Sequence, residues 1–312
     1  TIKPFMAMAG LSEGVITPSE VIYDPGYYQL PNDDRRYRNW LRWGHGRVDL
    51  ERALAVSNNT YFYSLAHELG IDRIHDNLEA FGFGTRVAAD VAGQGDGLLP
   101  SRDWKRSRYN QAWYPGETLS VGIGQGYLQV TPLQLASATA MLANRGHWVR
   151  PRLAKRIGDE PVPVELPDTP ADIEVGNETY WDRVFSGMEK VLSGREGTAR
   201  RTGAGLQYRM AGKSGTAQVF SLGQNQKYNA SELRERLRDH ALFMAFAPVD
   251  DPQIAVAVIV ENAGGGSTHA ASLARAMTDA WILDYHSGKP AEPGAPGATS
   301  VGDATNRAGA GE

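Results

Sequence analysis

Apolar residues recur at three- and four-residue steps in several parts of the chain, a spacing that predicts helices with one buried face. At the start of the chain, Ile2, Phe5 and Leu11 follow this spacing. Pro4 fits only the first turn of a helix, so we expect a helix that begins at or just before Thr1, as if the chain started inside an element. The same spacing predicts further helices over residues 49–69, 71–81, 131–145, 178–193 and 267–284.

The period changes to that of strands over residues 211–220, 240–248 and 253–262. Asp250-Asp251-Pro252 is a tight turn, which predicts an antiparallel hairpin between the second and third strands. The third strand contains IAVAVIVE, apolar at nearly every position, so we expect it to be central and covered on both faces. The predicted elements give an α+β fold, an antiparallel sheet flanked by helices, with a helix-rich subdomain in the middle of the chain.

The connecting segments lack a clear period. Residues 12–50 are predicted to be irregular and rich in aromatic side chains, and residues 82–118 to be mostly loop. The long charged link over residues 221–239 is predicted to be either a mobile flap over a site or a solvated helical insertion. Residues 287–312 are rich in Gly, Ala and Pro and are predicted to be a disordered tail, which leaves one domain over residues 1–286.

Composition excludes several classes of function. The 312 residues contain 32 basic and 36 acidic side chains, a net charge of −4 that argues against a broad nucleic-acid surface. The longest aliphatic run, from Ile254 to Val260, is far shorter than the ~20 residues of a membrane-spanning helix. The absence of cysteine excludes disulfides, cysteine nucleophiles and thiolate metal sites.

Three short motifs carry candidate chemistry. Lys213-Ser214-Gly215-Thr216 opens a strand and could bind a carboxylate, although a plain polar strand start explains it equally simply. Ser57-Asn58-Asn59 interrupts the helix over residues 49–69, and could relay protons or only cap a helix. Lys3 lies near the start of the first helix, where a solvated lysine is the simpler interpretation. A fourth motif, GIGQG over residues 122–126, has the wrong spacing and context for nucleotide binding.

Together, the first three motifs resemble the S-x-x-K, S-x-N and K-[ST]-G set of the penicillin-recognising serine enzymes. The longer stretches TIKPFMAMAGL, WGHGR, SNNTYFY, GIGQGYLQVTPLQLA, AGKSGTAQVF and RDHALFMAFAP are similar to the transpeptidase domain of the penicillin-binding protein 2 family. These are the class B, rod-shape enzymes of Gram-negative bacteria. The similarity covers residues 1–285 in matching order and implies the fold of that family, without a cofactor.

The resemblance implies a peptidoglycan D,D-transpeptidase that cross-links stem peptides and that β-lactams inhibit. The nucleophilic serine would immediately precede Thr1, because no serine of this chain is followed three residues later by lysine. The other implied catalytic residues are Lys3 as general base, Ser57 as proton relay, Asn59 as amide-binding group and Lys213 as nearby cation. Lys213, Ser214, Gly215 and Thr216 would bind the substrate's terminal carboxylate.

The resemblance also implies partners and a compartment. The partners would be the pentapeptide ending in D-Ala-D-Ala, β-lactam antibiotics and a membrane glycosyltransferase of the elongation machinery, but no nucleic acid. The family's upstream pedestal domain and membrane anchor lie outside this sequence, which would be the periplasmic domain of an inner-membrane-anchored protein. A serine β-lactamase or a non-catalytic β-lactam sensor remains an alternative, as does, more remotely, a hydrolase with Thr1 as its terminal nucleophile.

Members of this family can hold a structural zinc through Asp, Asp, His and Cys. The matching positions here are Asp24, Asn39, His45 and Asn58. Because two of these are neutral amides, we expect no metal, and a region held together by polar contacts and by packing of Trp40 and Trp43. A site completed by water or a neighbouring carboxylate such as Asp49 is the alternative.

Overall fold

The computed structural model describes residues 1–161, 171–218 and 234–285. The helices of this part of the chain are α1 (Lys3–Ser12), α2 (Leu50–Ala55), α3 (Asn59–Ala80), α4 (Arg102–Tyr109), α5 (Pro115–Gly122), α6 (Pro132–Ala143), α7 (Thr179–Ser193), α8 (Arg200–Gly203) and α9 (Ala270–Asp279), the last continued by a π-helical turn, Ala280–Tyr285. The strands are β1 (Val21–Asp24), β2 (Tyr27–Gln29), β3 (Arg36–Arg38), β4 (Gly46–Asp49), β5 (Arg156–Ile157), β6 (Glu160–Pro161), β7 (Ala211–Ala217), β8 (His240–Ala247) and β9 (Ile254–Val260).

The main sheet is antiparallel, with the order β7-β8-β9. The expectation that the last strand is central is therefore wrong within the described residues, where β8 is central and β9 lies at one edge. The expectation that both faces of β9 are covered is confirmed. On one face, Val256 and the even-numbered residues of β9 pack with Ala270 and Ala274 of α9. On the other face, Ala255 and Ala257 pack against the larger core.

Helix α1 is the centre of the larger core, and all of its residues from Lys3 to Leu11 are buried. Phe5 contacts the rings of Phe81 and Phe83 edge-on, with centroids 5.0 and 5.1 Å away. The helix begins at Lys3 rather than at Thr1, with Pro4 in its first turn as the sequence requires. Because α1 is buried all round, the Lys3 side chain lies in the interior rather than in solvent.

The predicted break at residues 57–59 is confirmed. Helix α2 ends at Ala55, and α3 begins at Asn59 with Asn58 as its N-cap, whose side chain accepts a hydrogen bond from the Tyr61 N–H at 2.7 Å. Ser57 connects the two helices with φ of 55°, in the left-handed region that non-glycine residues rarely occupy. The chain therefore reverses sharply at Ser57 and presents this residue at a helix junction.

Two other segments are more regular than the sequence pattern predicts. The irregular segment over residues 12–50 contains two antiparallel strand pairs, β1 with β4 and β2 with β3. The loop-rich segment over residues 82–118 contains α4 and the start of α5. Most of the proposed flap, residues 219–233, and the tail, residues 287–312, lie outside the described residues. In the described part of the chain, no helix combines the length and the apolar character that crossing a bilayer requires.

Candidate active site

A cleft of about 520 Å³ lies where α1, the α2–α3 junction and β7 meet. Most of the candidate site residues contribute to it, together with part of the GIGQG segment and two further segments, at Thr198 and over residues 265–267, that the sequence pattern did not indicate. Its lining consists of Thr1, Lys3, Trp40, Ser57, Asn59, Ile123, Gly124, Gln125, Thr198, Ser214, Gly215, Thr216, Ala217, Gln218, Leu242, Gly265, Gly266 and Ser267.

Lys3 joins α1 to the α2–α3 junction. Its Nζ donates to the Ser57 carbonyl at 2.8 Å and to the Asn59 Oδ1 at 2.6 Å, and lies 3.2 Å from the Ser57 Oγ. The side chain is only 5% exposed. Three residues that are adjacent only in the folded chain therefore form one hydrogen-bonded group.

Lys3 and Lys213 are buried lysines, and no carboxylate of the described residues forms a salt bridge with either. Burial, and then the charge of Lys213, hold the pKa of Lys3 well below its ordinary value. Burial lowers the pKa of Lys213 to about 7. A neutral Lys3 amine can accept a proton near neutral pH, which an ordinary lysine with a pKa near 10.4 does only rarely.

Lys213 is fully buried beside the cleft rather than in its lining. Its Nζ donates to the Ser214 carbonyl at 3.1 Å, and the residue pairs with Met244 in the sheet. Ser214 and Thr216, in contrast, line the cleft and are accessible to a ligand there. The Ser214 hydroxyl group also forms a hydrogen bond with the Thr198 hydroxyl group at 3.0 Å. Lys213 contributes a positive field from beneath these hydroxyl groups.

The first residue of the chain lies against the β7 motif. The Thr1 backbone nitrogen is 3.5 Å from the Ser214 carbonyl. A Cβ atom added to Gly215 would come within 2.9 Å of both that nitrogen and the Thr1 Cγ2. Glycine is required at position 215 because the start of α1 packs directly on the strand at that point.

Two glycine-containing loops complete the cleft. Gly124, with φ of 78°, and Gln125 follow α5. Gly266 packs on the sheet so closely that a Cβ atom would lie 2.1 Å from the Gly215 carbonyl and 2.2 Å from that of Leu242. The glycine run over residues 264–266 was the sequence signal for this close approach.

Asp24 is the acceptor at the centre of a buried polar cluster next to Ser57. The positions that the resemblance assigned to a zinc site do converge here. The Asp24 carboxylate accepts hydrogen bonds from Asn39 Nδ2 (2.7 Å), Asn58 Nδ2 (2.6 Å), the His45 N–H (2.9 Å), the Gly26 N–H (2.8 Å) and Thr60 Oγ1 (2.6 Å). Burial alone would raise the pKa of Asp24, but the bonds from Thr60, Gly26 and His45 lower it to about 2.

These residues do not fit a structural zinc ion. Two of the four positions place amide N–H groups, not lone pairs, toward the carboxylate, and His45 Nδ1 lies 3.1 Å from Asp24 Oδ2. In the described part of the chain, no three His, Cys, Asp or Glu side chains are grouped closely enough to hold a metal. A structural zinc ion needs about four N, S or carboxylate ligands, and among these four positions only Asp24 and His45 supply one, so we still expect no zinc here.

The two tryptophans beside this cluster behave differently. The Trp40 Nε1 donates to the Val56 carbonyl at 2.9 Å, and its ring contacts the His45 ring edge-on. Trp40 is nevertheless 58% exposed and lines the cleft. Trp43 is 79% exposed, so the expectation that it packs the region together is wrong.

Comparisons with known proteins agree with this geometry. The profile of the penicillin-binding protein transpeptidase domain matches residues 1–279. The peptidoglycan D,D-transpeptidase MrdA of Haemophilus influenzae is 47% identical over 283 residues, which are 90% of this chain and 44% of that protein. The chain thus spans less than half the length of this relative.

Solved structures agree as well. The crystal structure of Pseudomonas aeruginosa PBP2 in complex with WCK 5153 is 55% identical, with a TM-score of 0.84 over 93% of this chain and 61% of that chain. Helicobacter pylori PBP2 in its complex with MreC is 28% identical, with a TM-score of 0.78 over 91% of this chain and 49% of that chain. The resemblance stated from the sequence motifs and the expected fold class are confirmed.

Proposed function

The chain belongs to the penicillin-binding protein transpeptidase family, and from that premise we propose that it is the catalytic domain of a peptidoglycan D,D-transpeptidase. The single observation that supports this most directly is the hydrogen-bonded group of the buried Lys3 with the half-buried Ser57 and Asn59, beside the Ser214 and Thr216 hydroxyl groups. Such an enzyme would cross-link peptidoglycan in cell elongation and maintain rod shape, as part of a periplasmic domain anchored in the inner membrane.

The proposed nucleophile is a serine immediately before Thr1, one helical turn from Lys3. Its Oγ would attack the carbonyl carbon of the penultimate D-alanine while its proton passes to the neutral Lys3 Nζ. Backbone N–H groups of that serine and of Thr216 would stabilise the oxyanion, helped by the N-terminus of α1. Burial of Lys3 and the charge of Lys213, which lower the Lys3 pKa, support this assignment.

Collapse of the tetrahedral intermediate would release the terminal D-alanine. The leaving nitrogen would take a proton through the Ser57 Oγ, which lies 3.2 Å from Lys3 Nζ. The Asn59 Oδ1 is already bound to Lys3, which leaves its Nδ2 group for the substrate's backbone carbonyl. Ser214 and Thr216 would hold the terminal carboxylate in the field of Lys213.

An amine from a second stem peptide would then attack the acyl-enzyme ester, lose a proton and release the serine. β-Lactams would acylate the same serine. WCK 5153 is bound to the Pseudomonas aeruginosa PBP2 structure, and MreC to that from Helicobacter pylori. By extension, we infer an inhibitor that occupies the cleft and partners in the elongation machinery, including a membrane glycosyltransferase, for the longer protein that contains this chain.

The test uses that longer protein, with its residues before Thr1. After incubation with penicillin, peptide mass spectrometry is expected to find the adduct on the serine that precedes Thr1, and a Ser→Ala variant is expected to lose it. The same protein is expected to release D-alanine from a pentapeptide. An adduct at another residue would overturn the proposed site, and an adduct without D-alanine release would favour a non-catalytic sensor.

A further inference from the structure

The segment over residues 35–47, called here the arginine segment, has an unusual charge composition. It contains Arg35, Arg36, Arg38, Arg42 and Arg47 but no acidic residue, although acidic residues outnumber basic ones in the whole chain by 36 to 32. All five arginines are exposed. A local positive field of this kind attracts anionic ligands.

No carboxylate of the described residues forms a salt bridge with an arginine of this segment, although Asp33 and Asp34 directly precede it. In the described part of the chain, arginine salt bridges are made by Arg52, Arg86, Arg102, Arg145, Arg183, Arg209 and Arg275. The Arg35 and Arg36 guanidinium groups instead lie over the rings of Tyr37 and Tyr27, at 4.9 and 4.5 Å from the centroids. Their planar donor groups therefore remain available to a carboxylate ligand.

The strand pairing brings three of these arginines to one small region. In β3, Arg36 and Arg38 are exposed on either side of the buried Tyr37, and Arg38 pairs with Tyr27 of β2. The Arg42 carbonyl packs against the residue before Tyr27: a Cβ atom on Gly26 would lie 2.0 Å from it. Arg38 therefore lies opposite Tyr27 at one end of β2 and Arg36 opposite Gln29 at the other, while the Arg36 guanidinium group lies over the Tyr27 ring.

Trp40 links this region to the cleft. It lies between Arg38 and Arg42 in the chain, lines the cleft and is held by its bond to the Val56 carbonyl. The Asn39 Oδ1 also accepts a hydrogen bond from the Asn59 N–H at 3.1 Å, which ties the segment to a proposed site residue. Trp40 is therefore part of the cleft and lies two residues from both Arg38 and Arg42 along the chain.

We propose that the arginine segment binds the acidic part of the stem peptide whose D-Ala-D-Ala end occupies the cleft. This inference rests on the proposed function. A stem peptide carries free carboxylates on residues upstream of its D-Ala-D-Ala end, and an extended chain advances about 3.3 Å per residue. Carboxylates two or three residues upstream lie about 7–10 Å from the reacting carbonyl.

The acidic peptide fits these observations better than a membrane surface or a nucleic acid. The positive region is small, borders the cleft and belongs to a chain with a net charge of −4. A surface for an extended polyanion needs a broader positive face. Anionic vesicles are nevertheless included in the test as the competing ligand.

The experiment compares two pentapeptides, one with free side-chain carboxylates and one with the same groups amidated, using the longer protein with its residues before Thr1. The wild-type protein is expected to prefer the acidic peptide in kcat/KM by about three- to tenfold at low salt, the range for two exposed ion pairs. The R38Q/R42Q variant is expected to lose this preference. The matched control R106Q/R108Q removes two exposed arginines from α4 and is expected to keep it.

Penicillin acylation distinguishes a failure of this inference from a failure of the proposed function. Penicillin has no counterpart of the acidic residues upstream of the D-Ala-D-Ala end, so all three proteins are expected to be acylated at similar rates. Equal kcat/KM for both peptides in the wild type, or an unchanged preference in R38Q/R42Q, would overturn the inference while acylation persists. Loss of vesicle binding in R38Q/R42Q with an unchanged peptide preference would also overturn it, in favour of a lipid surface. Failure of the wild type to react with penicillin would instead count against the proposed function.

Discussion

Lys3 Nζ has three oxygen atoms within 3.2 Å, but a neutral amine has only two hydrogens. When Lys3 is neutral, its lone pair must therefore face one hydroxyl group, and Ser57 Oγ, the most distant of the three, is the one that can donate. The carbonyl of Ser57 and the Oδ1 of Asn59 accept only. This geometry makes the Lys3–Ser57 pair a proton-transfer route and leaves Asn59 to fix the amine in position.

The first prediction concerns the two buried lysines. Lys3→Ala is expected to lower the rate of penicillin acylation by about 10²–10⁴-fold, because it removes the proposed proton acceptor. Lys213→Ala is expected mainly to weaken binding and also to slow acylation, because it removes the cation that lowers the Lys3 pKa. Stopped-flow acylation kinetics on the longer protein measure both effects. Acylation of Lys3→Ala within about threefold of wild type would contradict its assignment as base.

The second prediction is the pH dependence of acylation. The rate rises with pH as Lys3 loses its proton, since only the neutral amine accepts one. It falls as Lys213 loses its charge, with a free-enzyme pKa of about 7, so kcat/KM is expected to be bell-shaped with its descending limb near that pH. A bound carboxylate stabilises the Lys213 cation, so the descending limb of kcat is expected at higher pH. A profile flat from pH 5 to 9 would exclude this pair of roles.

Unfolding gives an independent check on Lys213. Its pKa is lower in the folded protein than in the unfolded chain, so between about pH 7 and 10.4 the unfolded chain binds more protons. Lys213 therefore makes stability rise with pH in this window. Lys213→Met, which keeps the length but removes the charge, is expected to flatten that rise in urea unfolding.

At the scale of elements, α3 and α5 meet through a contact that only glycine allows. A Cβ atom on Gly122 would lie 2.3 Å from the Ala66 Cβ, and Gly122 directly precedes the loop that lines the cleft. Gly122→Ala is expected to destabilise the protein by about 1–3 kcal/mol through overpacking, measured by urea unfolding. Ala66→Gly/Gly122→Ala moves the methyl group across the interface and is expected to be more stable than Gly122→Ala alone. Additive losses in the double variant would mean that the contact is not the cause.

Sequence pattern predicts the elements that have strong local signals. Helix α6 has Thr131 as N-cap followed by Pro132, and the Ser57–Asn59 break is visible because three polar residues interrupt an apolar spacing. Helix α4 escaped prediction because its sequence, RDWKRSRY, has almost no apolar face, and its buried residue is Lys105, which pairs with Glu117. The prediction that β9 is central is wrong because an apolar run indicates that both faces of a strand are covered, but not whether a second strand pairs beside it.

The site was only partly predictable for the same reason. The three motifs identified Lys3, Ser57 and Lys213, but their distances depend on how α1 packs on α3 and β7. Thr198 and Gln125 carry no local signal, and they reach the cleft only through the tertiary arrangement. The sequence predicts that Trp40 packs the region together. In the structure its Nε1 donates a hydrogen bond to the Val56 carbonyl, but more than half of the side chain is exposed.

The Asp24 cluster gives a second prediction at the scale of elements, on metal content. The protein purified without chelator is expected to contain far less than stoichiometric zinc, because Asn39 and Asn58 present N–H groups to the carboxylate. The N39D/N58C variant, which provides Asp, Asp, His and Cys, is expected to gain zinc close to one ion per chain. Elemental analysis measures both. Near-stoichiometric zinc in the wild type that disappears in His45→Ala would show that the amides do not prevent binding.

The stability of this cluster can be tested without metal. Asp24→Asn keeps the shape but places an N–H₂ group against donors from its neighbours. About 1–3 kcal/mol is expected to be lost for each buried donor left without an acceptor. Because the cluster includes Asn58 and supports Asn59, penicillin acylation is expected to slow in parallel with the loss of stability. An unchanged free energy of unfolding in Asp24→Asn would show that Asp24 is not the central acceptor of this cluster.

At the scale of the whole molecule, the cleft combines groups from both parts of the fold. Lys3, Ser57 and Asn59 belong to the helical core, whereas Ser214 and Thr216 belong to the sheet. The described residues that line the cleft offer lysine, hydroxyl, amide and apolar groups. A rapid β-lactamase needs a base that activates water against the acyl-enzyme, whereas a transpeptidase needs an amine acceptor to reach the same ester.

The last prediction follows from this lining. In the longer protein, the penicillin adduct is expected to persist for hours, because the described residues that line the cleft include no carboxylate to activate water against the ester. Adding an amine acceptor together with a pentapeptide donor is expected to yield the cross-linked product, because the acceptor brings its own nucleophile. Intact-protein mass spectrometry follows the adduct, and chromatography follows the product. The Lys3→Ala variant serves as control, since it is expected to form neither species at a comparable rate. Adduct turnover within seconds would instead favour a β-lactamase, whatever the fold resembles.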